Sequence, residues 1–226
     1  MTSDEIYQLE KDLRAAALNV RIAALNTLAA QPAAVAVPIL QRLSKDPSFL
    51  LRRLAVMGFG NHAPDAIAFN SLKELSTDET DANVLAEAAN SLYEFGDVSI
   101  PLLVQMFKAN DNWLLRQTVL ALLQESNHPD VLLDVSLQAL EDNTQTVKET
   151  AILGLRQVLM SPLQTQALAT LTELAQSDIW RDRWRAATAL TGCDHPQAAA
   201  LLSKLRTDEN HYVVAAALDA SIGTGL

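Results

Sequence analysis

One helical-hairpin pattern recurs seven times along this chain, and its fixed spacing constrains the fold more than any other feature. The second helix of each copy carries an anchor pair, and successive anchors are 31, 33, 31, 32, 35 and 31 residues apart. The seven anchor pairs are Val20-Arg21, Leu51-Arg52, Val84-Leu85, Leu115-Arg116, Val147-Lys148, Asp182-Arg183 and Val213-Val214. A repeat of this length indicates a solenoid of stacked units rather than a globular domain.

The residues that follow each anchor have the pattern of a packed helix. Small residues, mostly alanine, come three to five positions after most anchors, as in Ala23-Ala24 and Ala186-Ala187. A large apolar residue stands eight positions after the anchor in six copies: Leu28, Phe59, Leu92, Leu123, Leu155 and Leu190. We therefore predict an all-α, right-handed α-α superhelix of about seven hairpins, forming one domain over residues 1–226. The predicted units lie near 3–31, 32–63, 64–97, 98–128, 129–160, 161–195 and 196–226.

Composition and charge argue against a nucleic-acid-binding, membrane-spanning or secreted protein. The formal net charge of −10 argues against nucleic acid as a partner, because a phosphate backbone requires a basic surface. The sequence has no apolar run near the roughly 18 residues that span a bilayer, and its first residues do not resemble a signal peptide. A single cysteine favours a reducing, cytoplasmic location.

Helix borders are marked by proline and by acidic loop residues. Prolines precede or open five first helices (A helices): Pro32, Pro64, Pro129, Pro162 and Pro196. Pro38 and Pro101 lie further inside and are expected to bend their helices. The loop before nearly every second helix (B helix) contains an aspartate that could cap that helix: Asp46, Asp78 or Asp81, Asp111, Asp142, Asp178 and Asp208.

Asn19-Val20-Arg21-Ile22-Ala23-Ala24-Leu25, Leu51-Arg52-Arg53-Leu54-Ala55-Val56 and Val98-Ser99-Ile100-Pro101-Leu102-Leu103 resemble the HEAT-like repeat of the phycobilisome lyase type. In length and acidity the chain looks most like cyanobacterial NblB-type phycobilisome degradation proteins. The resemblance implies a protein that binds phycobiliproteins during phycobilisome degradation and needs no permanent cofactor, with bilin as a transient ligand. Two alternatives remain open: a bilin lyase or detachase that acts on a thioether of the partner, and a general adaptor unrelated to light harvesting.

Three B helices begin with an aromatic residue three positions before an arginine: Phe49 and Arg52, Trp113 and Arg116, Trp180 and Arg183. Residues three apart share a helix face, so the ring could stack on a flat ligand such as a bilin while the guanidinium binds a carboxylate. Alternatively, the arginine bonds a loop acid of its own or a neighbouring repeat, and the aromatic ring covers the end of the core.

The densest cluster is Trp180, Arg181, Arg183, Trp184 and Arg185, which combines the residue types that dominate protein interfaces. A solvated basic face with one tryptophan beneath it is the alternative. In HEAT-like proteins the B helices line the concave face, and the candidate binding residues on them are Arg52, Arg53, Trp113, Arg116, Trp180, Arg181, Arg183, Trp184 and Arg185. Glu87 and Glu149, in the B helices of units 3 and 5, are the secondary candidates.

We predict no metal site and no catalytic residue. His62, His128 and His195 are two units apart, hence ~20 Å apart if each helix layer is ~10 Å thick, whereas zinc ligands lie ~2 Å from one ion. Turn and C-cap roles before proline account for these histidines better. Cys193 and His195 lie close in sequence, but neighbours in a turn rarely point at each other as a nucleophile and its base must.

Overall fold

The computed structural model describes residues 1–219, and that part of the chain is helical without any strand. The A helices are α1 (Ser3–Leu13), α3 (Ala33–Leu43), α5 (Ala66–Asp78), α7 (Ile100–Ala109), α9 (Pro129–Ala139), α11 (Gln164–Leu174) and α13 (Pro196–Leu205). The B helices are α2 (Leu18–Ala29), α4 (Phe49–Gly60), α6 (Ala82–Tyr93), α8 (Trp113–Glu125), α10 (Gln145–Leu159), α12 (Trp180–Leu190) and α14 (His211–Asp219). The predicted all-α solenoid of helical hairpins is confirmed; the end of the seventh predicted unit, residues 220–226, lies outside the described residues.

The positions of the prolines show where this residue marks the start of a helix. Pro129 and Pro196 occupy the first turns of α9 and α13, as predicted. Pro38 lies inside α3. The prediction that Pro101 lies inside its helix is wrong. Pro101 lies in the first turn of α7, because a short 3-10 helix (Gly96–Ser99) precedes α7 and shifts its start. Since the first turn needs no N–H from proline, Pro101 starts its helix rather than bending it.

Most of the loop residues bond to the backbone just before the B helix, and not to the first turn of that helix as predicted. Asp81 accepts hydrogen bonds from Asn83 and Val84 in the first turn of α6 and is a true cap. In six loops, however, a side-chain oxygen accepts the backbone N–H two residues later, on the residue just before the B helix. The six pairs are Asp46 with Ser48, Glu79 with Asp81, Asn110 with Asn112, Asp142 with Thr144, Ser177 with Ile179 and Asp208 with Asn210. These oxygens stabilise the loop and do not cap the helix directly. Each side chain bonds to the backbone N–H two residues after itself, which still belongs to the loop and not to the first turn of the helix.

The core confirms the predicted register. The six large residues eight positions after the anchors are all fully buried: Leu28, Phe59, Leu92, Leu123, Leu155 and Leu190. Neighbouring B helices also pack on each other, α4 on α6, α10 on α12 and α12 on α14. Small residues permit the close approach: a Cβ added to Gly60 of α4 would lie 3.0 Å from Cβ of Ser91 on α6.

Residue contacts group the chain into two compact units, Met1–Val119 and Leu120–Leu226, with the division inside α8. The single domain expected over residues 1–226 stays a prediction. Among the described helices, none combines the length and the apolar character that crossing a bilayer requires.

Candidate partner-binding surface

Arg52 links the loop of its own repeat to the loop of the next one. It is the fourth residue of α4, and its Nε and Nη2 donate to the Glu79 carboxylate at 2.6 and 3.0 Å. Its Nη1 donates to the carbonyl oxygens of Asp46 and Pro47 at 3.1 and 3.0 Å. Burial raises the pKa of Glu79, but hydrogen bonds from Arg52 and from loop N–H groups outweigh it and leave the pKa below its ordinary value.

Arg183, the fourth residue of α12, repeats this arrangement. Its Nε and Nη2 donate to Asp208 of the following loop at 2.7 and 3.0 Å. Its Nη1 donates to the carbonyl oxygens of Ser177 and Asp178 at 2.8 and 3.2 Å. The hydrogen bonds from Arg183 to the Asp208 carboxylate hold the pKa of Asp208 below its ordinary value. Arg52 and Arg183 therefore have their donors turned inward, as the structural alternative for these arginines describes.

A stack of three aromatic rings that is partly open to solvent lies on α12 and α14. Trp180 and Trp184, one helical turn apart, have ring centroids 6.0 Å apart and an interplanar angle of 29°. Tyr212 of α14 lies 5.5 Å from Trp180 and 6.1 Å from Trp184. Tyr212 is half exposed. The two helices pack side by side, so both helices contribute rings to one aromatic surface.

Two arginines of α12 lie against these rings. The Arg185 guanidinium carbon is 3.8 Å from the centroid of Trp184, and that of Arg181 is 5.2 Å from the centroid of Trp180. Both distances are within the range of cation–π attraction. We call the set of Trp180, Arg181, Trp184, Arg185 and Tyr212 the α12–α14 surface.

Glu149 of α10 fixes one of these arginines. Its Oε2 accepts from Nε and Nη2 of Arg185 at 3.0 and 2.8 Å, and its Oε1 accepts from Nε2 of Gln145 at 3.3 Å. Arg181 stays 3.9 Å from Glu149 Oε1, with its side chain 53% exposed. The arginines of the predicted cluster differ in their contacts. Arg183 and Arg185 form hydrogen bonds within the chain, while Arg181 makes a 3.9 Å ion pair with Glu149 and stays half exposed.

The other candidate residues lie in the first compact unit. Trp113 at the start of α8 is 48% exposed, and the arginine three residues on contacts another ring, since Arg116 lies 4.4 Å from the ring centroid of Phe107. Arg53 pairs with Glu87 of α6 at 2.8 Å, and its side chain remains 48% exposed. The aromatic-x-x-Arg motif thus places its members differently in α8 and α12.

Tyr212 is not among the residues predicted from the sequence, because its repeat lacks the aromatic-x-x-Arg motif. The available signal was its position directly before the seventh anchor, Val213. Since α14 packs on α12, a residue at that position faces the first turn of the preceding B helix. His211 lies 4.1 Å from Tyr212 between ring centroids and widens the aromatic surface.

The histidines occupy helix borders. His195 is the residue before α13, where its Nδ1 accepts from the N–H of Gln197 at 3.2 Å, so it acts as an N-cap rather than a C-cap. His62 is buried in the turn after α4. Within residues 1–219, no group of three or more His, Cys, Asp or Glu side chains is placed to hold a metal ion.

Cys193 lies at the border of a small cavity of about 220 Å³ near the end of α12. Burial raises the pKa of its thiol, and the charge of Asp194 raises it further. Both effects disfavour the thiolate, which is the nucleophilic form of cysteine.

The comparison with protein families decides the class of the repeat. The model of HEAT repeats matches residues 36–124 and 133–222, which is most of the chain. This chain belongs to the HEAT repeat family. No curated protein sequence gives a significant match.

Solved structures show the same architecture at low sequence identity. YibA of Escherichia coli is 15% identical with a TM-score of 0.66, over 100% of this chain and 88% of YibA. The complex of CpcE and CpcF of phycocyanin lyase from Nostoc sp. PCC7120 is 18% identical with a TM-score of 0.50, over 98% of this chain and 88% of the matched chain. The karyopherin Kap121p, bound to the extreme C-terminus of the phosphatase Cdc14p, is 18% identical with a TM-score of 0.57, over 97% of this chain and 29% of Kap121p. At these identities the likeness is one of fold.

Proposed function

We propose that this HEAT-repeat protein is a binding module for phycobiliproteins that acts during phycobilisome degradation and contacts them through the α12–α14 surface. One observation carries the choice of surface: the rings of Trp180, Trp184 and Tyr212 stack across two helices and remain partly open to solvent. Exposed aromatic rings beside arginine are the residue combination from which interface hot spots are built.

Contacts within the chain hold part of this surface in place, which favours binding. Trp184 is covered on one face by Arg185, which is itself tied to Glu149. Rings that are already ordered lose little conformational freedom when a partner covers them. A partner would therefore gain contact area with rings whose orientation is already set.

The choice of partner rests on two lines of support. The repeats share their fold with the phycocyanin lyase complex of CpcE and CpcF, and the sequence motifs resemble the HEAT-like repeats of that type. A bilin is flat and carries two carboxylates, so rings and guanidinium groups suit it as a transient ligand. The cytoplasm of a cyanobacterium is the compartment this function requires.

The test is binding of purified phycocyanin to the wild-type protein and to the triple variant Trp180→Ala, Arg181→Ala, Arg185→Ala. We expect affinity to fall by more than about 30-fold, the equivalent of ~2 kcal/mol, while helicity stays near the wild-type value and Tm falls only modestly, because Glu149 loses Arg185. The control is Tyr7→Ala, Arg42→Ala, which removes an exposed ring and an exposed arginine from α1 and α3 and should leave binding unchanged. Equal binding by the triple variant and the wild type would refute the assignment of the surface.

The alternatives are separate outcomes of the same mixing experiment. Loss of covalently attached bilin from phycocyanin, seen after denaturing electrophoresis, would indicate a lyase or detachase. A change in bilin absorbance without that loss would indicate binding near the chromophore. No binding of any phycobiliprotein would leave a general adaptor.

A further inference from the structure

We propose that the α12–α14 surface recognises a peptide segment in which one acidic side chain stands next to an aromatic one, and that Arg181 binds the carboxylate. This inference rests on the proposed function for the location of the surface only. It specifies which feature of a protein partner is recognised there.

The hydrogen bonds of Arg185 and Arg181 separate their roles. Arg185 directs two donors to Oε2 of Glu149, whose other oxygen accepts from Gln145. Arg181 is 3.9 Å from Oε1 of Glu149, too far for a hydrogen bond, and it donates no hydrogen bond to residues 1–219. Glu149 is therefore the positioning residue for Arg185, and Arg181 retains its donors for a ligand.

Trp180 holds the Arg181 guanidinium beside the ring stack. The guanidinium carbon lies 5.2 Å from the indole centroid, where cation–π attraction restrains a side chain that is otherwise exposed. A guanidinium presents its donors in a planar fork that matches the two oxygens of a carboxylate. Tyr212 is 51% exposed, so an apolar side chain next to that carboxylate would find a ring surface beside Arg181.

Charge limits the ligand to one acidic group rather than a run of them. Arg181 and Arg185 lie near Glu149, and Arg183 beside them pairs with Asp208 and Glu209, so acids already surround these arginines in a chain whose formal net charge is −10. The charge of the whole chain repels strongly acidic segments, but beyond ~8 Å it is largely screened at physiological ionic strength. A single carboxylate with an aromatic neighbour therefore fits the site better than a polyacidic stretch.

The test uses the three tryptophans of the chain as reporters. Their indole N–H signals in a ¹⁵N NMR spectrum are assigned with single Trp→Phe variants, and the full chain is titrated with the peptide Ac-Glu-Phe-NH2. We expect shifts of the Trp180 and Trp184 signals, while Trp113, an exposed tryptophan on α8, serves as the internal control. The matched peptide Ac-Gln-Phe-NH2 should bind at least five-fold more weakly.

Arg181→Ala should remove the preference for glutamate over glutamine, whereas Arg42→Ala should keep it. Arg42 is the matched control because its side chain is 54% exposed and also pairs with an acid, Glu10. Arg181→Lys keeps the charge without the fork and should retain only part of the preference. A wild-type spectrum outside the reporter signals shows that each variant is folded.

Four results would overturn this inference: equal binding of the two peptides, an unchanged preference in Arg181→Ala, equal shifts with sodium acetate, or shifts centred on Trp113. None of these measurements uses a phycobiliprotein. If the peptide preference is found but phycocyanin does not bind, only the proposed partner fails. If phycocyanin binds through the α12–α14 surface and the preference is absent, only the role of Arg181 fails.

Discussion

Arg52 and Glu79 form a two-point ion pair between successive repeats, with distances of 2.6 and 3.0 Å between the guanidinium nitrogens and the carboxylate oxygens. The Glu79 side chain is only 6% exposed, so loss of the arginine would leave a nearly buried carboxylate without its cation. The pair joins the B helix of one hairpin to the loop of the next.

Replacing Arg52 with alanine should lower the free energy of unfolding by roughly 3 kcal/mol, the usual consequence of removing one partner of a buried ion pair. Chemical denaturation measures the change. Arg42→Ala should cost less than about 1 kcal/mol, because its side chain is more than half exposed. Equal losses in the two variants would show that the Arg52 bond contributes no more than a surface pair.

Replacing Leu155 or Leu123 with alanine should destabilise the protein by ~2–5 kcal/mol, because both side chains are fully buried and leave a cavity when truncated. Thermal or urea unfolding of each variant measures this. Leu137→Ala is the matched control on α9, since Leu137 is 42% exposed. A loss below about half a kcal/mol at Leu155 would contradict the register of α10.

Stability should fall as the pH drops below about 6.5, the ordinary value for histidine, and His62 is the cause. Burial lowers the pKa of His62 and outweighs the opposing effect of Asp65. The unfolded chain then binds a proton at a higher pH than the folded one. Protonation therefore favours unfolding, and stability is lost as the pH falls from the unfolded pKa through the folded one.

Urea unfolding of the wild type and of His62→Gln at several pH values between 7 and 5 tests this. The variant should show a flatter dependence of the unfolding free energy on pH. Parallel curves for the two proteins would assign the pH dependence to other groups.

EDTA should leave Tm unchanged, since the described residues contain no group of side chains placed to hold a metal ion. Differential scanning calorimetry with and without the chelator checks this. A lower Tm in EDTA that zinc restores would reveal a site that this arrangement does not predict.

The hairpins and their core could be predicted because buried apolar residues recur with the helix period, and the same spacing of apolar residues recurs in each repeat. The roles of the arginines could not be predicted in the same way. Arg52 and Arg183 each depend on an acid of the following repeat, 27 and 25 residues away. Only the packing of successive hairpins determines whether that acid is within reach.

The same limit applies to the aromatic residues. Trp113 and Trp180 have equivalent sequence positions, but among residues 1–219 ring neighbours build a stack at Trp180, and one of them, Tyr212, comes from another repeat. Composition identified Trp180 to Arg185 as a cluster. It could not show that Glu149 engages Arg185 and leaves Arg181 open.

The loops before the B helices show what this repeat conserves physically. The side chain that accepts the N–H two residues later is Asp, Glu, Asn or Ser, and the bond lengths lie between 2.7 and 3.1 Å. What the loop requires is an oxygen atom at one point in space, and four residue types can supply it. Among those four, only the acids can also form an ion pair with an arginine of the preceding repeat, as Glu79 and Asp208 do. The choice between an acidic and a neutral residue at this one loop position therefore adds or removes an ion pair between neighbouring hairpins, and a designer could adjust that contact without altering the core.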